Sequence, residues 1–228
     1  PWNIRRKLYG WSGDALYWMA LRLTGRGEYA DALEYNAVKA AGAKISLLHA
    51  TRGRPEMATK ARMLWLDRAK DPASIEHIFA LDDDDEATDL LAARFRHVIV
   101  PFGGGPVSAW NAAAFVSCGK ILVQMSDDWN PPLFWDEAII EHLTGKGGVL
   151  RVSDGHRKDD LLCMAICTRE YWRDTLRGAL FHPMFFSMFS DNWFTHVATE
   201  SNAIVDASHI VFEHEHPFFG KGEMDATY

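Results

Sequence analysis

The sequence predicts an α/β fold: a mostly parallel central sheet flanked by helices, with an N-terminal helical extension. Three observations carry this. Four short apolar runs, at 44–50, 75–81, 97–101 and 120–125, alternate with segments of helical periodicity, which is the pattern of βαβ units. Each run ends in a polar or glycine-rich segment, so all four direct their chemistry to one sheet edge, where open parallel sheets bind ligands. At 228 residues and 48% hydrophobic, the chain can form one sizeable α/β domain plus an appendage.

The appendage comes first, over residues 1–42. Ser12 can cap a helix whose apolar positions Leu16, Met19, Ala20 and Leu23 fall at helical spacing, and Gly25 and Gly27 break it. A second helix from Glu28 to Ala41 carries Tyr29, Leu33, Ala37 and Ala40 and stops at Gly42. Two amphipathic helices in tandem read as an accessory docking hairpin. The main domain then occupies 43–228, with a nucleotide-binding half over 43–130 and an acceptor half over 131–228.

In the first half, the strand Lys44–Ala50 passes through a Gly-Arg-Pro turn into a helix from Pro55 to about Lys70. The strand Ile75–Leu81 ends in Asp82 to Asp85, and a short helix through Leu90, Leu91 and Phe95 follows. His97–Pro101 leads to Gly103, Gly104 and Gly105 and a helix that Ser108 can cap. The stretch Lys120–Asp128 delivers Asp127 and Asp128 at its end, and Trp129, Asn130, Pro131 and Pro132 open a helix near Leu133 to Leu143. The second half reads as strands Val149–Val152 and Leu161–Thr168, a helix from Arg169 to about Arg177, and an aromatic run Phe181–Phe189. Ser190 next caps a helix beginning Asp191-Asn192, and strand-like Ala203–Phe212 closes on Glu213-His214-Glu215-His216-Pro217.

Composition removes several classes. With 24 Lys and Arg against 31 Asp and Glu the net charge is -7, which argues against a dedicated nucleic-acid binder. Three cysteines, Cys118, Cys163 and Cys167, sit in apolar contexts and read as reduced core residues, without the second pair a zinc site needs. There is no signal peptide, no glycosylation sequon and no apolar run long enough to span a bilayer, so the expected setting is the cytoplasm.

The candidate chemistry gathers at the strand ends. The segment His49-Ala50-Thr51-Arg52-Gly53-Arg54-Pro55 leaves a strand and enters a helix, and its amides and two guanidinium groups suit an anionic ligand such as a diphosphate. A carboxylate from the run after the second strand, Asp82 or Asp83, can accept from a base N–H or a ribose hydroxyl, with the other aspartates facing water. Gly104 would let a ligand approach the backbone, with Asn111 as a polar contact, although no G-x-G-x-x-G fingerprint is present. Asp127 and Asp128 suit a hard divalent cation whose shell phosphate oxygens and water complete. The H-x-H of His214 and His216 can add a ligand. Asp191 is either a first-turn acid favoured by the helix dipole or a general base for an acceptor hydroxyl, and Trp193 beside it can form a platform for a sugar ring.

In this order and spacing the features over 43–228 resemble a glycosyltransferase of the GT-A (Rossmann-like) fold, in the broad family-2-like group. HATRGRP is similar to the first-strand loop that receives the nucleotide. The strand ending at Asp82 to Asp85 resembles the one whose carboxylate reads the base, and GGGPVSAWNAA the segment before the metal strand. Ser126-Asp127-Asp128 stands where the family has D-x-D; with Ser126 in the first position, Asp128 becomes the expected metal ligand and Asp127 a sugar or ribose contact. FSDNWFT resembles the acceptor-side motif, which would make Asp191 the catalytic base. HEHP resembles the C-terminal histidine that completes the metal shell, with His214 and His216 both open.

The resemblance implies Mn²⁺ or Mg²⁺ and transfer from a nucleotide-diphosphate sugar, UDP favoured, to an acceptor hydroxyl by inversion. The acceptor stays open among a glycan, a lipid-linked sugar, a protein and a modified nucleic-acid base. The competing readings are a metal-dependent hydrolase built on the H-x-H and the paired aspartates, and a non-catalytic nucleotide-sugar binding module.

Overall fold

The computed structural model describes residues 42–101, 104–216 and 220–221. The two helices expected before residue 42 lie outside them. The nucleotide-side strands are β1 (Ile45–Ala50), β2 (Ile75–Asp82), β3 (His97–Val100) and β4 (Ile121–Met125). β1 lies between β2 and β4, β3 lies outside β2, and all three pairings are parallel. The sheet continues past β4: β7 (Ile166–Thr168) runs antiparallel to β4, β6 (Val149–Ser153) antiparallel to β7, and β8 (Ile204–Val211) parallel to β6. This gives a seven-stranded, mostly parallel sheet in the order β3-β2-β1-β4-β7-β6-β8.

The central strands are buried on both faces, as parallel strands covered by helices must be. All eight residues of β2 are buried. Successive side chains leave a strand on opposite faces, so Leu47 and Leu48 enter separate clusters. On one face, α3 (Gly105–Val116) and α6 (Ser190–Glu200) pack with Val107, Ala113, Phe181 and Phe194. On the other, α1 (Pro55–Asp67) and α4 (Trp135–Leu143) bring Trp65, Trp135 and Ile139 together. The Trp65 and Trp135 rings meet edge to face at 5.0 Å. Their indole N–H groups donate to the Trp129 and Trp65 carbonyls, both at 2.8 Å. Truncating either ring to Ala costs about 3–5 kcal/mol. The short α2 (Thr88–Ala92) and α5 (Arg169–Asp174) complete the α-helices among the described residues.

Charge enters β2 only with partners. Glu76 forms an ion pair with Arg96, their side chains 1% and 3% exposed. Glu76 also accepts from the Ser46 hydroxyl and the Cys118 backbone N–H.

Four local expectations are corrected. Residues after Asp128 do not open a helix; β5 (Trp129–Asn130) pairs antiparallel with β9 (Glu213–His214), and α4 starts only at Trp135. Pro131 and Pro132 account for this, because a residue before proline is pushed to extended backbone and proline lacks the donor a helix needs. α3 starts at Gly105, with Gly104 at the cap position and Pro106 in the first turn, so Ser108 caps nothing. Ser190 is likewise inside α6: the cap is Phe189 at φ 66°, and the Ser190 hydroxyl donates back to the Ser187 carbonyl at 2.7 Å. Finally, 161–165 is not strand. The Leu162 N–H goes to Thr195 Oγ1 and the Ala165 N–H to Gln124 Oε1, side-chain partners where a ladder was expected.

Candidate active site

A cleft of about 930 Å³ opens at the C-terminal ends of β1, β2 and β4. The β1 loop contributes Thr51, Arg52 and Arg54, β2 contributes Asp82, and the β4 end contributes Ser126, Asp127 and Asp128. Asp191 and Asn192 at the start of α6 also line it, with His214 and His216 from near the far end of the chain. One cleft therefore gathers most of the residues singled out in sequence.

The first loop is laced to the aspartate run. Arg52 donates from Nη1 to Asp82 Oδ2 at 2.9 Å and to Asp84 Oδ1 at 2.6 Å. The Gly53 N–H donates to Asp85 Oδ2 at 2.8 Å. The Asp84 carboxylate, then Asp82, raises the Arg52 pKa, and Arg52 holds Asp84 below its ordinary range. Burial pushes Asp82 the other way, upward, against the pull of Arg52. Asp82 Oδ1 is buried without a hydrogen-bond partner among the described residues. A buried acceptor in that state costs free energy until a donor fills it. Asp84 is exposed to water as expected, with its side chain at 55%, yet it also pairs with Arg52, and half-buried Asp85 holds the Gly53 N–H, so both brace the loop that carries Arg54.

At the end of β4 the two aspartates turn to different partners. Asp127 accepts from Thr51 Oγ1 at 2.8 Å through Oδ2 and meets His49 Nε2 at 2.8 Å through Oδ1. Asp128, 8% exposed, meets His214 Nε2 at 3.2 Å through Oδ2. The β5–β9 ladder produces this second contact by setting His214 opposite Trp129, and the two rings stack at 4.3 Å. His216 lies beside His214 with ring centroids 5.3 Å apart. Burial, then the neighbouring His214, lowers the His216 pKa. Among the described residues no group of three or more His, Cys, Asp or Glu is arranged to hold a metal alone. In the same cleft, Asp191 Oδ1 accepts from the Asn192 N–H at 2.9 Å.

Five expected contacts do not reach the cleft wall. His49 is fully buried beneath Asp127, so it supports that carboxylate and cannot touch a nucleotide. Asn111 is fully buried with its amide bonded at both ends to the Phe181 backbone, at 2.7 and 3.0 Å. Asp83 points its backbone N–H at Val100 O and stands outside the lining residues. Gly104 is buried behind Gly105, over which the Phe186 ring sits so closely that a Cβ would lie 2.7 Å from it. Trp193 packs on His182 and the core cluster rather than lining the cleft.

The solved structures decide the fold. Residues 1–349 of S. aureus TarS in complex with UDP match at TM-score 0.60 and 14% identity, over 74% of this chain and 59% of that one. A mannosyltransferase, PcManGT, from Pyrobaculum calidifontis in complex with GDP-Man and Mn²⁺ matches at TM-score 0.56 and 13% identity, over 88% of this chain and 64% of that one. The chain has the GT-A fold. It spans less than two thirds of the length of either structure. No family model and no curated protein sequence matches the chain.

Two lining residues of this GT-A cleft and one histidine beneath it were not read from the sequence. Trp110 lines it and donates from Nε1 to Met125 O at 3.0 Å, pinning α3 to β4. Arg157 lines it, fixed by Asp154 Oδ1, which accepts its backbone N–H at 2.8 Å. His77, on β2, meets His49 Nδ1 at 3.0 Å. A histidine inside an apolar run carries little sequence signal. Only the β1–β2 register brings it beside His49.

Proposed function

We propose that the protein is a metal-dependent glycosyltransferase that moves a sugar from a nucleoside-diphosphate sugar, UDP favoured, to an acceptor hydroxyl with inversion. The contact between Asp128 and His214 at the β4 edge of the cleft carries this reading. One carboxylate and one imidazole fit Mn²⁺ or Mg²⁺ when diphosphate oxygens and water complete the shell. His214 is the better candidate of the histidine pair, because its Nε2 lies 3.2 Å from Asp128 Oδ2. When bound, the metal supplies positive charge against the diphosphate leaving group.

The chain's own groups supply the rest. Asp82 Oδ1 accepts an N–H from the base, filling its open acceptor position. The β1 loop with Arg54 faces the diphosphate, and Asp127 takes a hydroxyl of the ribose or sugar. Asp191, with Oδ1 bonded to the Asn192 N–H, accepts the acceptor's hydroxyl proton at Oδ2. The freed oxygen bonds to the anomeric carbon as the bond from that carbon to the diphosphate breaks, and the nucleoside diphosphate leaves with the electron pair.

The match to structures holding UDP, UDP-GlcNAc or GDP-Man supports a donor of this class. The hydrolase reading is weaker, because Asp127 turns to His49 and Thr51 and away from the histidine pair.

The test is release of UDP from UDP-GlcNAc and UDP-glucose, water serving as a slow acceptor, with Mn²⁺ and with EDTA. Metal-dependent UDP release supports the transferase. Zn²⁺-dependent ester hydrolysis without any effect of nucleotide would replace it with the hydrolase.

A further inference from the structure

Beneath the cleft floor, three side chains from three adjacent strands form an unbroken polar chain: His77 on β2, His49 on β1 and Asp127 just past β4. His77 Nε2 lies 3.0 Å from His49 Nδ1, and His49 Nε2 lies 2.8 Å from Asp127 Oδ1. His49 is 0% and His77 5% exposed. The rings are boxed by Phe79, at 4.8 Å from His49 and 4.5 Å from His77.

We propose that His77 and His49 are positioning residues that fix the Asp127 carboxylate as a preset acceptor for a hydroxyl of the donor. The inference rests on the transferase reading of the cleft.

The direction of the hydrogen bonds follows from its cleft end. An ionised carboxylate only accepts, so His49 Nε2–H donates to Asp127. In a neutral His49 ring Nδ1 is then the lone-pair nitrogen, and His77 Nε2–H donates to it. That leaves His77 Nδ1 as a bare lone pair, and it is the atom buried with no hydrogen-bond partner among the described residues. Burial above all depresses the His77 pKa and keeps the ring neutral, as this tautomer requires.

Core packing alone does not account for the arrangement. Two imidazoles inside a sheet, one with an unfilled nitrogen, are a poorer filling than apolar side chains. Local rules broken this way point to a functional demand nearby. The demand is at Asp127. Its Oδ1 is held by the imidazole chain and its Oδ2 by the Thr51 hydroxyl at 2.8 Å, so the carboxylate plane cannot rotate. Each oxygen keeps one lone pair for a ligand, aimed in advance.

Two measurements test it on the full chain. The first needs no ligand. In ¹⁵N-histidine NMR spectra, both rings should appear as Nε2–H tautomers, each with an exchange-protected proton, and His77 Nδ1 should be unprotonated. An Nδ1–H tautomer at either ring would overturn the chain.

The second is titration with UDP and UDP-GlcNAc in Mn²⁺. Asp127→Asn and His49→Leu should both weaken binding roughly ten- to hundredfold. His49→Gln, which returns a donor at the Nε2 position, should recover most of it, and His77→Leu should weaken binding less than His49→Leu. Loss with UDP itself assigns the hydroxyl to the ribose, and loss only with UDP-GlcNAc assigns it to the sugar. If Asp127→Asn weakens binding while a folded His49→Leu does not, the positioning role is wrong. Should wild-type protein bind neither nucleotide, the transferase reading fails, and the tautomer result still decides whether the polar chain exists.

Discussion

His214 Nε2 lies 3.2 Å from Asp128 Oδ2, although 86 residues separate them. The contact depends on a two-residue ladder, Trp129↔His214 and Asn130↔Glu213. Pro131 and Pro132 keep the chain extended after Asp128, which leaves Trp129 and Asn130 free to pair. The Glu215 N–H then closes on the Asp128 carbonyl at 2.8 Å, and the His214 N–H on Asp154 O at 3.2 Å. The end of the described chain is thereby bolted to the cleft at several points, which fixes the His214 imidazole against Asp128.

Asp191→Asn should lower the transfer rate by about 10²–10⁴-fold with UDP affinity unchanged. The amide keeps the acceptor that the Asn192 N–H uses but cannot take the hydroxyl proton. Initial rates and calorimetric UDP binding on the same variant separate the two effects.

Asp82→Ala should weaken UDP binding roughly tenfold or more, since a hydrogen bond to a charged group contributes about 1.5–3 kcal/mol. It also frees Arg52 from one of its two carboxylates. Selectivity for UDP over CDP should narrow in the same titration. An unchanged preference would remove Asp82 from base recognition.

Glu76→Ala should destabilise the protein by about 3–5 kcal/mol, because it strands the buried Arg96 charge. Glu76 lies near the start of β2, the end of the strand away from the cleft. Urea unfolding should therefore show a large loss, while the donor KM of the protein that stays folded holds.

Burial pushes the thiols of Cys163 and Cys167 up to about 12. Neither forms appreciable thiolate at pH 8, and the thiolate is the reactive species. Iodoacetamide at pH 8 should leave both unmodified in the folded protein and label them after unfolding. Rapid native labelling of Cys163, read by peptide mass spectrometry, would show that the 161–165 segment opens.

The strand–helix alternation and the cleft edge were legible because β1 to β4 are continuous apolar runs with polar ends. Periodicity and turn residues are local signals, and these elements are set locally. Asp82, Asp127, Asp128 and Asp191 could be singled out for the same reason, standing at the ends of runs. What the sequence could not reveal depends on register and on tertiary partners. His49, near the end of the first strand, reads as a ligand contact in the string HATRGRP, yet as the fifth residue of β1, level with Phe79 and Met125, it is sealed from the cleft. Asn111 reads as a ligand contact until the Phe181 backbone claims both ends of its amide. The left-handed cap at Phe189 has no glycine or asparagine to announce it.

The most direct test of the account is a thermal-shift series with UDP and GDP, each with and without Mn²⁺, on wild type, Asp128→Ala and His214→Ala. Stabilisation should appear only when nucleotide and metal are present together. At ligand concentrations near 100 times Kd this amounts to about 2.7 kcal/mol. Either substitution should abolish the metal-dependent part, while His216→Ala should keep most of it. A shift produced by Zn²⁺ or Mn²⁺ alone and unaltered by nucleotide, or a nucleotide shift that survives both Asp128→Ala and His214→Ala, would contradict it.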